Sequence, residues 1–150
     1  MMPGSNALYQ EVILEHNRKP RNFRKLDQAD RVSEGFNPLC GDHFTVWVKL
    51  HGDRVEDVSF LGSGCAISKA AGSLMTIEIK GKTIAEALTM VERFQRLVTG
   101  QSLDGGAMVP ERLEVFAGVK EFPSRVKCAT LPWHALKAAL EARERTVSTE

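Results

Sequence analysis

Three cysteines and one aspartate hold most of the chemistry available to this sequence. Cys40 and Asp42 flank Gly41 in the string NPLCGD, Cys65 closes the string GSGC, and Cys128 lies within RVKCATLPW. In an extended CGD segment the side chains of Cys40 and Asp42 point to one side, and Gly41 leaves the backbone free to bring thiolate and carboxylate toward one ion. Three sulfurs and a carboxylate form a closed tetrahedral set suited to zinc. The same set could hold a [2Fe-2S] cluster, with the carboxylate as the harder, more easily exchanged ligand. Spacing alone does not decide, because 24 residues separate the first two cysteines and 62 the last two, which fits no local zinc-finger pattern. Free cysteines are also among the most buried residue types, so three ordinary core or surface thiols are the competing reading.

The elements that must position these groups follow from periodicity. Leu8, Tyr9, Val12, Ile13 and His16 recur at helical spacing after a cap at Ser5 or Asn6, and Asn17 with Pro20 ends that helix. Ala29 to Phe36 reads as a short strand. Phe44, Val46, Val48 and Leu50 alternate with Thr45, Trp47 and Lys49, which is the pattern of a half-buried strand. His51, Gly52 and Asp53 form a turn, and Val58 and Phe60 continue a hairpin until Gly62 interrupts it. From Ile67 to Glu78 the period becomes helical, with Gly81 at the helix end, and a further helix opens at Lys82 or Thr83 and runs past Val98. Gly100 to Gly106 reads as a loop, Pro110 to Val119 as a short helix, and Ala129 to Glu144 as a longer one. Strands at the front and helices behind predict an α+β fold, a small antiparallel sheet of about three strands packed against several helices.

On this frame Cys40 sits in a loop at one end of the sheet. Cys65 follows a glycine-rich break and stands at or close to a helix N-cap, where free N–H groups and the helix dipole favour the thiolate. Cys128 repeats that arrangement ahead of the last helix, with Pro132 in the first turn. None of the three then lies in the apolar stripe of an element, and small residues beside them permit close approach.

Composition narrows the function classes. The chain has 150 residues, 43% of them hydrophobic, enough for one core, so residues 1–150 are read as a single domain. Twenty basic residues against nineteen acidic ones give a net charge of +1, too weak a field to indicate nucleic acid or an anionic membrane as partner. Met1 to Leu14 has no export-type apolar run, and no stretch is long and apolar enough to span a bilayer, which places the protein in the cytoplasm. Three thiols cannot all pair, and a reducing compartment keeps them free.

Other residues weigh less. Of His16, His43, His51 and His134, His43 is nearest the candidate site, but strand alternation turns it away from Asp42. Arg18, Lys19, Arg21, Arg24 and Lys25 form a basic cluster, read as a solvated surface or a dock for an acidic partner patch. No protease-type signature surrounds any cysteine.

Four motifs in order resemble the IscU/NifU-like iron-sulfur cluster assembly family, and most closely its SufU branch. They are LYQEVILEHNRKPRN (Leu8 to Asn22), NPLCGD (Asn37 to Asp42), GSGCAIS (Gly62 to Ser68) and RVKCATLPW (Arg125 to Trp133). The resemblance implies a metal site of Cys40, Asp42, Cys65 and Cys128. The stretch from Cys65 to Cys128 resembles SufU in its extra residues about Gly100 to Ser124, and Lys127 stands where IscU-type scaffolds carry a histidine. The chain departs from the family pattern at Phe23, Arg24 and Pro132, none of them a proposed ligand.

What the resemblance implies about function takes two forms. In the first the protein is a Zn2+-bound sulfur acceptor that takes persulfide sulfur from a SufS-like cysteine desulfurase and passes it to downstream iron-sulfur assembly proteins. Cys40 would be the nucleophile, because it lies on a loop, and Arg125 would steady the developing thiolate through its fixed charge. In the second it is a scaffold that binds iron and assembles and transfers a transient [2Fe-2S] cluster. The protein would accordingly be either a zinc-dependent sulfurtransferase or a non-enzymatic carrier. A zinc ion that only holds the fold together is the third possibility.

Overall fold

The computed structural model describes residues 3–101, 109–141 and 146–148, with the side chains of 10–101 and 109–141. Element order is α1 (Pro3–Arg18), β1 (Arg31–Asn37), β2 (Asp42–His51), β3 (Arg54–Ser63), α2 (Ala66–Ile79), α3 (Ile84–Thr99), a 3-10 helix (Glu111–Glu121), α4 (Pro123–Leu140) and β4 (Thr146–Ser148). The α+β class holds, and β1, β2 and β3 form an antiparallel meander. The sheet order is β3-β2-β1-β4, so the short β4, unforeseen from sequence, adds a parallel edge strand beside β1. None of the described helices is long and apolar enough to cross a membrane.

Strand β2 follows the expected alternation. Phe44, Val46 and Val48 are fully buried, while Thr45, Trp47 and Lys49 lie on the other face. A bulge between Lys49 and Leu50 shifts the register, which lets Val55 and Val58 of β3 both reach the core although they are three residues apart. On this inner face of the sheet lie α2 and α4, two helices whose buried residues reach most of the way round. Helix α3 is capped by Thr83 and Glu86 in a reciprocal box, and packs its Met90, Val91 and Phe94 stripe toward α4 and the 3-10 helix. Phe94 stacks on Trp133 of α4 at a centroid distance of 4.6 Å. Gly81 takes the left-handed conformation expected after α2, at φ +90°.

Some boundaries differ from the sequence expectation, and others lie outside the described residues. Helix α1 starts at Pro3, ahead of the expected Ser5 or Asn6 cap. The segment expected as a short helix from Pro110 to Val119 is a 3-10 helix running to Glu121. Residues 102–106 of the expected loop and 142–144 of the expected last helix fall outside the described residues. The main correction concerns α4, which begins at Pro123 rather than Ala129. Pro123 occupies the first helical position, where a missing N–H costs nothing, so Cys128 lies in the second turn and Pro132 in the interior. An interior proline leaves the carbonyl four residues back, here that of Cys128, without its helical donor at a cost of about 3 kcal/mol. Burial of α4 against β1, β2, α2 and α3 outweighs that loss.

Phe23 and Arg24, the departures near the N-terminus, serve packing. Phe23 meets Phe60 edge to face at 5.1 Å and lies under Lys69 Nζ, and Arg24 pairs with Asp57 at 2.8 Å.

Candidate metal centre

The site forms where the β1–β2 turn, the start of α2 and the second turn of α4 meet at one end of the sheet. Asp42 opens β2 on its buried face and is 3% exposed. Cys65 is the N-cap of α2, as the sequence suggests, with extended backbone and its Sγ accepting the Ser68 N–H at 3.5 Å. The Ser68 hydroxyl donates to the Cys65 carbonyl at 3.0 Å, so one residue holds both ends of the capping cysteine. Gly64 makes this approach possible: a Cβ there would stand 2.5 Å from Ser68 Oγ and 2.7 Å from the Phe44 ring. Cys128 is supplied by a helix interior rather than a helix start, and it is 1% exposed. The expectation that no cysteine lies within a packed element therefore fails for Cys128.

One ligand atom each from Asp42, Cys65 and Cys128 lies within 4.8 Å of the others. Cys40, exposed on the turn, approaches this trio through Cys128, with the two Sγ atoms 3.9 Å apart. Zinc–sulfur arms of about 2.3 Å give a tetrahedral edge of about 3.8 Å, so the Cys40–Cys128 separation already equals one edge and the trio needs about 1 Å of contraction. Asp42 Oδ2 supplies the second observation, since it is buried without a hydrogen-bond partner. A buried carboxylate with an unpaired oxygen beside two thiols is poorly solvated, and a cation held by that carboxylate would offset the cost. The donor set and geometry thus fit Zn2+ or a small iron-sulfur unit.

Electrostatics differentiate the sulfurs. A hydrogen bond with Cys128 brings the Cys65 thiol down to about 5, against burial and with help from the Ser68 N–H and hydroxyl, while the Asp42 charge opposes it. Cys128 moves strongly upward because it donates to Cys65, is buried and feels the charges of Cys65 and Asp42. The two shifts run in opposite directions because each sulfur is the other's hydrogen-bond partner. Arg125, one turn before Cys128 in α4, lies close enough that the Cys65 charge, then hydrogen bonding to Cys128, raises its own pKa.

The histidines sort as their positions suggested. His43 points away from Asp42 and its Nε2 lies 2.9 Å from Glu34 Oε1. His16 is buried on α1 with Nδ1 2.7 Å from Ser73 Oγ, His51 ends β2, and His134 lies on α4. In the basic cluster Arg21 pairs with Glu15 and Arg24 with Asp57. Ser68 is a supporting residue that sequence does not single out, because the usual capping box carries Glu or Gln rather than a hydroxyl three residues after the cap.

A cluster of thiols and a carboxylate at the end of a small meander, closed by two helices, defines a centre able to hold metal or sulfur. The profile of the NifU-like N terminal domain matches residues 8–129, and the chain belongs to that family, the IscU and SufU group. It is 42% identical over 139 residues to the zinc-dependent sulfurtransferase SufU of Bacillus subtilis, covering 93% of each chain. It is 40% identical over 136 residues to the iron-sulfur cluster assembly scaffold protein IscU of Streptococcus pyogenes, covering 91% of this chain and 84% of the relative. Among solved structures, a SUF-system iron-sulfur cluster assembly scaffold from Fervidobacterium islandicum superposes with a TM-score of 0.82 at 38% identity, over 90% of this chain and 98% of that one.

Proposed function

We propose that this chain serves iron-sulfur cluster assembly in the cytoplasm as a zinc-bound sulfur acceptor, taking sulfur from the persulfide of a cysteine desulfurase and delivering it to downstream assembly proteins. One observation carries the reading: the cysteines are graded in exposure, Cys128 buried, Cys65 half-buried and Cys40 exposed on a turn with its Sγ 3.9 Å from that of Cys128. Such a grading separates the holding of an ion from the exchange of sulfur. Lys127 before Cys128, and the relationship to a protein named as a zinc-dependent sulfurtransferase, support the same choice.

Cys40, Asp42, Cys65 and Cys128 would hold the ion, which when bound supplies the positive charge that keeps coordinated thiols ionised at neutral pH. The remaining chemistry belongs to the chain. The Cys40 thiolate attacks the outer sulfur of the donor persulfide. A new sulfur–sulfur bond forms to Cys40, the donor's own sulfur–sulfur bond breaks, and the donor leaves as a thiolate. Arg125 offers a permanent positive charge to the sulfur anions. Asp42 and Cys65, fixed at the starts of β2 and α2, keep the pocket in shape while Cys40 is engaged elsewhere.

The test is the metal and sulfide content of protein purified without oxygen, followed by desulfurase turnover with and without it. One zinc per chain, no labile sulfide and faster turnover is the expected result. Iron with matching sulfide and unchanged turnover would instead establish the scaffold reading, in which a [2Fe-2S] cluster is the cargo.

A further inference from the structure

Asn37 ends β1 and is fully buried, yet it belongs neither to the apolar core nor to the ligand set. It holds the turn that presents Cys40. Its backbone carbonyl accepts the N–H of Cys40 at 3.3 Å and that of Gly41 at 2.8 Å, while its side-chain Oδ1 accepts the N–H of Leu39 at 3.1 Å. Three consecutive donors of a four-residue turn thus converge on one residue, and an asparagine side chain bonded two residues ahead is a recognised way of fixing such a turn.

The other end of the same amide is unused. Asn37 Nδ2 is buried with no hydrogen-bond partner, and so is Asp42 Oδ2. Asn37 and Asp42 are direct partners in the β1–β2 register, and facing residues of an antiparallel pair project to the same side of the sheet. That side is the one covered by α4, which carries Cys128. A buried donor and a buried acceptor therefore stand on neighbouring positions at the site, each lacking the bond that burial demands.

From this pairing we propose that Asn37 is a positioning residue of the centre, its amide oxygen fixing the Cys40 turn and its amide nitrogen fixing the carboxylate oxygen of Asp42 that the ion does not take. A single side chain then couples the exchanging ligand to the anchoring one. Groups that orient metal ligands in this way commonly contribute ten- to a hundredfold in affinity. The inference rests on the reading of Cys40 and Asp42 as ligands, and its two arms are tested separately.

The turn arm is read in metal-free protein, as the rate of iodoacetamide alkylation of Cys40 followed by peptide mass spectrometry, with circular dichroism to verify the fold. Asn37→Ala changes that rate several-fold, and Asn37→Ser, which keeps a side-chain oxygen for the Leu39 N–H without adding a charge beside Asp42, restores most of it. The carboxylate arm is read as zinc affinity against a chromogenic chelator. Asn37→Ala weakens zinc about tenfold or more, and most of that loss disappears in an Asp42→Ala background. An unchanged alkylation rate in Asn37→Ala, or a change that Asn37→Ser does not restore, overturns the first arm. Zinc losses that multiply independently with Asp42→Ala overturn the second. Zinc binding that is indifferent to Asp42→Ala alone removes the ligand reading itself and the second arm with it, while the metal-free measurement still judges the first.

Discussion

Among the described residues, the polar cluster between α1 and α2 and the one at the end of the sheet are finished differently. Between α1 and α2, Ser73 Oγ accepts the Arg21 N–H at 2.8 Å and lies 2.7 Å from His16 Nδ1, while Asn22 Nδ2 donates to Thr76 Oγ1 at 2.9 Å. Thr76 in turn donates to the Ser73 carbonyl at 2.7 Å, so donors and acceptors there are matched within the protein. At the end of the sheet, Asn37 Nδ2 and Asp42 Oδ2 are left unmatched, with the Cys65 and Cys128 thiols beside Asp42. A closed network costs little to bury and fixes helices in place, whereas an open one is maintained against its own desolvation and is the place to expect a ligand. Both clusters join segments more than fifty residues apart, so distance in sequence does not distinguish them.

The contrast breaks most visibly if substitutions cross over. Cys128→Ser removes the most buried sulfur and is expected to lower zinc affinity by more than about a hundredfold while leaving the helical circular dichroism intact, measured by chelator competition. Ser73→Ala does the reverse. It strands His16 and the Arg21 N–H, and urea titration should show about 1–3 kcal/mol of lost stability with zinc stoichiometry unchanged. Loss of zinc from Ser73→Ala would erase the distinction.

A pH titration sharpens it further. Burial, then the positive charge of Arg21, lowers the pKa of His16 from its usual 6.5, opposed by Glu15 and assisted by Arg112. The folded state therefore prefers the neutral ring. That preference has no cost above pH 6.5, but below it the unfolded chain takes up the proton more readily, and stability falls as pH drops toward the lowered folded value. The unfolding free energy of metal-free protein, from urea titration, should decline over this window by up to about 1.4 kcal/mol per pH unit, and His16→Gln should flatten the slope. The smallest effect is expected at the solvent-facing pair Arg24–Asp57. Burial pushes the Asp57 carboxyl up, but hydrogen bonds from Arg24 and the Val58 N–H more than reverse this. Arg24→Ala should cost less than about 1 kcal/mol by the same urea assay, because one partner remains largely hydrated.

Much of this arrangement was legible in the chain. The alternation of Phe44, Val46 and Val48 defines β2 because the face they share is covered and the other is not. Cys65 reads correctly as a cap because glycines separate a period-two pattern from a helical one, and Asp42 and His43 fall on opposite faces as alternation requires. The start of α4 was misread because Pro132 resembles a first-turn proline, whereas Pro123 holds that position and tertiary burial carries the interior proline. Strand β4, three residues long, has too few positions to establish a period. Ser68 and Asn37 escaped for a different reason: their roles are hydrogen bonds across a cap and a turn, which leave no periodic trace.

Mass spectrometry of the zinc-loaded protein after incubation with a cysteine desulfurase and cysteine tests the central claim most directly. One added sulfur on the Cys40 peptide, absent in Cys40→Ser and with Cys65 and Cys128 unmodified, is the predicted result. Sulfur accepted by Cys40→Ser at the wild-type rate, or found first on Cys65 or Cys128, would contradict it.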